Sequence, residues 1–307
     1  MKKTKFVTSY YMDITEFTKN KWIGSASGRK RRYLTSLIHY CKNFPNYSIV
    51  CYTHKVSLFE LEDIKSKYEL INLVIKIKEL DEIKYTDKIN SVVDNVPDYM
   101  TRFNLPGRPP QVMWGKFDIL REECTEEFDY IYWIDAGLQA LQLFPLRYNP
   151  HISEPDIWTS FHKQGNFGLL FNESMIDKLT NNVTKKFVTL LSTQLQDVYY
   201  SLEGNDVKSG NYPIAGFFGG DKNMVLEYCD YFDNAVDIFV KNNILCFEQT
   251  IMKYVTDIFP LEKLHILSFD THATGLNEQQ FNYDEWDSSK NLPKPIWRIW
   301  EEIRDNY

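Results

Sequence analysis

Three short stretches carry residue types that could do chemistry. The first is Phe128-Asp129-Tyr130-Ile131-Tyr132-Trp133-Ile134-Asp135-Ala136-Gly137. Its apolar run reads as a buried strand that delivers Asp135 to its carboxyl end, where open α/β sheets bind ligands. Ala136 and Gly137 leave room for a phosphate or a metal ion to approach the backbone. An aspartate at that position can also simply cap the next turn. An acid on the final residue of a buried strand is expensive without a partner, however, and this favours a functional role. The second stretch is Tyr212-Pro213-Ile214-Ala215-Gly216-Phe217-Phe218-Gly219-Gly220-Asp221. Glycines around two aromatics leave backbone accessible to a ligand and ring faces available for stacking on a sugar. The same run also suits a tight strand-to-helix turn with Asp221 as N-cap. The third is Phe247-Glu248-Gln249-Thr250, where a carboxylate opens a helix. Such a carboxylate either satisfies free amides and the helix dipole or does chemistry.

The elements that must position these residues follow from hydrophobic patterning. Lys5-Phe6-Val7-Thr8-Ser9-Tyr10 is a short apolar run ending in hydroxyls, a buried strand whose carboxyl end opens onto a site. Tyr33, Leu34, Leu37, Ile38 and Cys41 form one stripe of a helix. Asn43-Phe44-Pro45-Asn46 ends it, and Ser48–Thr53 is the next strand. Strand, helix, strand makes a βαβ unit and implies a parallel sheet with a right-handed crossover. Ile71–Ile75 reads as a third strand. The polar stretch from Asp81 to Arg108 reads as helical pieces and loop, a candidate lid. A helix through Val112–Leu120 and the strand Tyr130–Asp135 come next. Short strands are expected at Asp156–Trp158 and Phe167–Leu170, and a helix from about Val183 to Leu202. Beyond the glycine run, Met224, Tyr228, Phe232, Ala235 and Phe239 keep helical register. A shorter helix holds Glu248–Met252, and Leu264–Ser268 is a last strand. An aromatic tail (Phe281, Tyr283, Trp286, Trp297, Trp300, Tyr307) wraps back on the core. The expectation is an α/β, mostly parallel sheet flanked by helices. Residues 1–307 form one compact domain, with a nucleotide-binding half (1–138) and an acceptor-binding half (139–307).

Composition sets the outer limits. The chain has 307 residues, 43% hydrophobic and 25% charged, enough for a sizeable core and unlike a disordered tail or a small disulfide scaffold. Its formal charge of −7 disfavours bulk attraction to nucleic acid. Five widely spaced cysteines with no CxxC pair fit a reducing compartment. The start has charges but no secretory apolar core, and no run approaches the ~18–20 apolar residues of a membrane span. These points together suggest a cytoplasmic protein. The basic run Arg29-Lys30-Arg31-Arg32 reads first as a solvated surface. A phosphate-rich donor or peripheral contact with an anionic membrane are its functional options.

Taken in order, the motifs resemble GT-A glycosyltransferases, in particular the WlaTC/HtrL-like (HtrL/YibB) family. The residues that carry the resemblance are Phe6–Ile14, Trp114-Gly115-Lys116 and Trp133-Ile134-Asp135-Ala136-Gly137-Leu138. A more distant similarity is to the retaining blood-group A/B and α-1,3-galactosyl enzymes. There, an Asp-Tyr-hydrophobic strand leads to an Asp-x-Asp metal motif, then a Phe-Phe-Gly-Gly run and a later helical glutamate. Asp129-Tyr130 to Asp135, Phe217-Phe218-Gly219-Gly220 and Glu248 match these. The resemblance spans most of the chain and implies transfer of a sugar from a nucleotide-sugar, a UDP-sugar foremost, to a glycan or glycoprotein. Thr8, Ser9, Tyr10 and Tyr11 would make the slot for base and ribose. Asp135, with Ala136 and Gly137, would face the diphosphate and Mn2+ or Mg2+, with His272 as a further ligand. The second acid of the metal motif is Gly137 here, so cations could replace the ion: Arg108, Lys116 and Arg121 precede the Asp135 strand. Ala215–Gly220 would shape the donor–acceptor pocket. Glu248 would act as nucleophile or oxocarbenium stabiliser if the reaction retains configuration, or as base if it inverts. Two other classes stay open: a non-catalytic carbohydrate-binding module and a nucleotidyltransferase.

Overall fold

The computed structural model describes residues 2–12, 27–93, 110–136, 173–192, 198–200, 206–208 and 212–269. The first apolar run forms β1 (Thr4–Tyr10), and the Leu37–Ile38–Cys41 stripe belongs to α1 (Ser27–Asn43). β2 (Ser48–Thr53), α2 (Lys55–Lys67) and β3 (Leu73–Ile77) follow. β1 pairs in parallel with β2, and β2 with β3, as the βαβ reading requires. β3 starts two residues later than its sequence suggests. Leu70 buries in the turn after α2, and Ile71 is left 89% exposed before the ladder opens at Leu73. α2 is not legible from periodicity, because Val56 and Phe59 are exposed and interrupt its buried positions Leu61 and Ile64.

α3 (Thr86–Val93) lies in the polar stretch, of which residues 94–108 are outside the described set. α4 (Pro110–Glu122) and β4 (Tyr130–Ile134) come next. Then come α5 (Glu173–Asn182), β5 (Phe187–Ser192), the antiparallel pair β6 (Val198–Tyr200) and β7 (Asp206–Lys208), and β8 (Tyr212–Asp221). α6 (Lys222–Lys241), α7 (Glu248–Ile258) and β9 (Leu264–Phe269) complete the order. The helix expected from Val183 to Leu202 is therefore corrected. The helix ends at Asn182, Lys185 takes a left-handed φ of 55°, and the chain enters β5 and then β6. Phe187, Val188 and Thr189 are all buried, the mark of a strand covered on both faces, whose continuous apolar run lacks a period-2 signature. The strands expected at 156–158 and 167–170 and the aromatic tail lie outside the described residues.

The main sheet has seven strands in the order β3-β2-β1-β4-β8-β5-β9. β8 alone runs antiparallel to its neighbours, so the sheet is the mostly parallel α/β sheet expected, of Rossmann-like type. Four strands come from residues 1–138 and three from 139–307, joined where β4 meets β8. Successive strand residues feed opposite faces. Val7, Ile131, Trp133 and Phe218 pack under α4, α6 and α7, while Phe6, Ile49, Tyr132 and Phe217 pack under α1, α2 and α5. Phe117 of α4 stacks between Phe218, at 4.9 Å, and Phe232 of α6, at 3.8 Å. Burying each such ring is worth about 1.5–3 kcal/mol, which fixes α4 on the sheet.

Among the described residues, the charges buried on the α4 face are paired. Glu123 is fully buried and receives Lys5 at 2.8 Å, Lys76 at 2.5 Å and the Tyr52 hydroxyl at 2.5 Å. Burial pushes its carboxyl up, but these hydrogen bonds outweigh that and hold it below the ordinary carboxylate range. The five cysteines are all free thiols, and burial raises the pKa of every one. No helix among the described residues is long and apolar enough to cross a membrane.

β8 passes into α6 without a loop. Asp221 caps the helix, its carboxylate accepting the Asn223 amide at 3.0 Å. Asp221→Ala should cost about 1 kcal/mol, read as a lower urea midpoint with an unchanged m-value.

Candidate active site

The site is built on α4, which starts with proline at its first turn, where the missing amide is harmless and the fixed φ suits a helix. Trp114 and Phe117 anchor the helix in the core, and this carries Lys116 to the carboxyl edge of β4. The Trp114 indole donates to the Cys246 carbonyl at 2.8 Å, pinning the segment that leads into α7. Tyr228 of α6 donates to the Met252 carbonyl at 3.2 Å and so holds α7 itself. Glu248, the first residue of α7, is thereby held against Lys116.

Lys116 is where the candidate residues meet. Its ammonium lies 2.9 Å from Asp135 Oδ1 and 2.8 Å from Glu248 Oε1. Two acids far apart in the chain thus come within two hydrogen-bond lengths of each other. The third donor of the ammonium goes to the Ala215 carbonyl at 2.9 Å, so all three N–H groups are used. The Trp133 ring lies 5.6 Å from the same nitrogen, a cation–π contact. The side chains of Lys116 and Glu248 are only 8% and 7% exposed, whereas that of Asp135 is 34% exposed. Burial disfavours the ammonium, but Asp135 first and then Glu248 outweigh it, and the Lys116 pKa is raised.

Asp135 is fixed from several directions. Its Oδ1 also accepts from Trp133 Nε1 at 3.0 Å, its amide donates to the Gly216 carbonyl at 2.8 Å, and its carbonyl accepts from the Tyr40 hydroxyl at 3.3 Å. The Gly216 carbonyl serves as the next rung of the β4–β8 ladder, and the Ala215 carbonyl is available because the β5–β8 ladder is irregular there. Thr189 pairs with Phe218 and the next residue, Leu190, with Ile214, so the residues between have no partner on β5. Such irregularities re-aim backbone groups near sites.

The other expected residues fall in different places. Thr8 is fully buried, and its hydroxyl has no hydrogen-bond partner among the described residues. Tyr10 and Tyr11 do not open onto a base slot. Tyr10 is buried with its hydroxyl on Glu60 at 2.6 Å, and Tyr11 stacks on His54 with its hydroxyl on the Lys78 carbonyl at 2.9 Å. Only Ser9 of this run is partly exposed; Ser9 and Asp135 each lie two residues beyond the paired Val7 and Trp133. Phe217 and Phe218 offer no face to a sugar, being fully buried against Tyr132 at 5.3 Å and Phe117 at 4.9 Å. Gly219 and Gly220 are strand residues facing Tyr132 and Ile131, well inside the sheet and not a turn around a ligand. Ala136 is buried beside Asp135. Arg121 is not at the site: it pairs with Asp230 at 2.6 Å and Asp233 at 2.7 Å on α6. Arg108, Gly137 and His272 lie outside the described residues.

Mn2+ or Mg2+ requires several oxygen ligands around one point. Among the described residues no group of three His, Cys, Asp or Glu could hold a metal ion. The oxygens of Asp135 and Glu248 that point toward each other already bind an ammonium. The described residues do not fit a divalent cation between them.

No protein-family model matches the sequence, and neither does any curated protein. Solved structures similar to the chain include 4-diphosphocytidyl-2C-methyl-D-erythritol synthase from Anaerococcus prevotii. It is 9% identical, with a TM-score of 0.39, over 87% of each chain. Another is a protein from Bacillus anthracis described as a glucose-1-phosphate thymidylyltransferase, solved with sucrose. It is 10% identical, with a TM-score of 0.37, over 91% of this chain and 97% of that one.

Proposed function

We propose that the chain is a glycosyltransferase that takes a sugar from a nucleotide-sugar, a UDP-sugar foremost, and passes it to a glycan or glycoprotein acceptor. The observation that carries this reading is the meeting of Asp135 and Glu248 on Lys116 at the carboxyl edge of a Rossmann-like sheet. That edge is where such sheets take nucleotides. Support also comes from the motif residues that resemble the WlaTC/HtrL-like GT-A enzymes. In this reading residues 1–307 act as one such domain, and the free thiols suit a cytoplasmic setting.

The chemistry asked of the site is modest in kind and demanding in placement. The diphosphate must leave as its charge develops, and the acceptor hydroxyl must lie against the anomeric carbon. Glu248 supplies negative charge toward the sugar as its anomeric carbon becomes cationic, with retention of configuration the favoured outcome. Asp135, the more exposed member of the pair, contacts the donor directly.

A panel of nucleotide-sugars incubated with the purified protein tests this. The expected result is slow release of nucleoside diphosphate from one donor, accelerated by an acceptor glycan. Pyrophosphate release from a nucleoside triphosphate and a sugar phosphate would instead make the chain a nucleotidyltransferase. Glycan binding with no nucleotide affinity would make it a carbohydrate-binding module.

A further inference from the structure

We infer that Lys116 takes the place of a divalent cation, a fixed ammonium that holds Asp135 and Glu248 together so that the site works without added metal. The inference deepens the glycosyl-transfer reading and rests on it in its nucleotide arm alone. Its basis is geometric. Two carboxylates from different elements point at one position, the arrangement that elsewhere gathers a metal ion, and the position is filled by a side chain of the protein. The occupant is not a swinging surface lysine. It is buried, it stems from a helix fixed by Trp114 and Phe117, and each of its three donors has an acceptor within 2.9 Å. Trp133 closes a further side, both through its ring over the ammonium and through its indole N–H on the Asp135 oxygen that the ammonium binds. An incoming ion would have to displace that ammonium into a buried, aromatic surrounding, leaving its charge unpaired.

Lys116 is in this sense a positioning residue. It sets where both carboxylates point, since one ammonium lies 2.9 Å from the Asp135 oxygen and 2.8 Å from the Glu248 oxygen. Methionine at 116 is close in length and uncharged, and would leave the two acids facing each other across a gap that a divalent ion can fill. Arginine keeps the charge.

The experiment uses Mn2+ alone as the first probe, its binding followed by loss of the free-ion electron paramagnetic resonance signal. The wild-type protein and Lys116→Arg should leave the signal unchanged, and Lys116→Met should quench it and gain thermal stability from the added ion. UDP is the second probe: its calorimetric affinity for the wild type should agree within about twofold in EDTA and in Mn2+. Mn2+ binding by the wild type that Asp135→Asn abolishes would overturn the inference. So would a UDP affinity that Mn2+ raises by about tenfold or more. If Lys116→Met does not fold, the wild-type and Lys116→Arg measurements still decide. If UDP and other nucleoside diphosphates bind under no condition, the transferase reading falls, and the Mn2+ measurement tests Lys116 independently.

Discussion

Gly219→Ala should prevent stable folding, and Gly220→Ala should do nearly the same. Gly219 has φ +139° and Gly220 φ +137°, a region of backbone conformation essentially reserved for glycine. Both sit in β8, the antiparallel strand that joins the two groups of parallel strands. A Cβ on Gly219 would lie 2.2 Å from the Ile131 carbonyl oxygen and 2.7 Å from the Tyr132 Cα. On Gly220 it would lie 2.3 Å from the Lys186 carbonyl oxygen. These neighbours are backbone atoms of β4 and of the residue leading into β5, so no rotamer change relieves the overlap. The only escape is to open the ladder between β4, β8 and β5, which should cost about 4 kcal/mol or more. Gly115→Ala is the control. There the new methyl would meet side-chain atoms of Ile83, the nearest at 3.0 Å, and the helical propensity gained offsets roughly 1 kcal/mol of the squeeze. Urea unfolding of the three variants checks the order: a fully folded Gly219→Ala protein with wild-type midpoint would show that β8 is not held as described.

The same two glycines show where reading the sequence reaches its limit. Glycine clusters signal close backbone approach, and that inference is correct here. What approaches is the neighbouring strands and not a ligand, and nothing in the residue types distinguishes the two. Phe217 and Phe218, just before them, were open to the same ambiguity: a ring that can stack on a sugar stacks equally well on Tyr132 or Phe117. Tyr10 and Tyr11 follow suit, since hydroxyls at a strand's end can point into a slot or back onto Glu60 and Lys78.

Elements with a helical stripe or a short, well-bounded apolar run were legible: β1, α1, β2, α4, β4, α6 and β9 lie near expectation, as does the start of α7. The β5 region was not, because its apolar residues, Phe187, Val188, Leu190 and Leu191, suit a buried helix segment as well as a strand. The convergence on Lys116 was half visible. Asp135 could be placed at a strand's carboxyl end and Glu248 at a helix start from local pattern alone. That the two share one ammonium depends on how α4 and α7 pack. The cue was the position of Lys116 among Trp114 and Phe117 on a largely apolar helix, where an ammonium must find an anion to be buried at all.

Glu248→Gln should lower sugar transfer by roughly 10²–10⁴-fold while leaving the fold and nucleotide binding close to wild type. Glutamine keeps the shape and an oxygen for Lys116 to donate to, so the contact at 2.8 Å can persist. Only the negative charge is lost. If that charge serves the reacting sugar, the loss appears in kcat, because a charge developing in the transition state is felt there more than in the bound ground state. If Glu248 merely balances Lys116, the loss appears as stability: the buried ammonium retains Asp135 as its single anion, and the unfolding midpoint falls while kcat holds. The Glu248→Asp variant sharpens the division. It preserves charge but withdraws the carboxylate by one methylene, so a catalytic group should still lose much of its rate, whereas a structural counter-ion should largely recover stability. Full kcat in Glu248→Gln, together with a lowered midpoint, would assign the residue to positioning and leave Asp135, the exposed partner, as the carboxylate that meets the substrate.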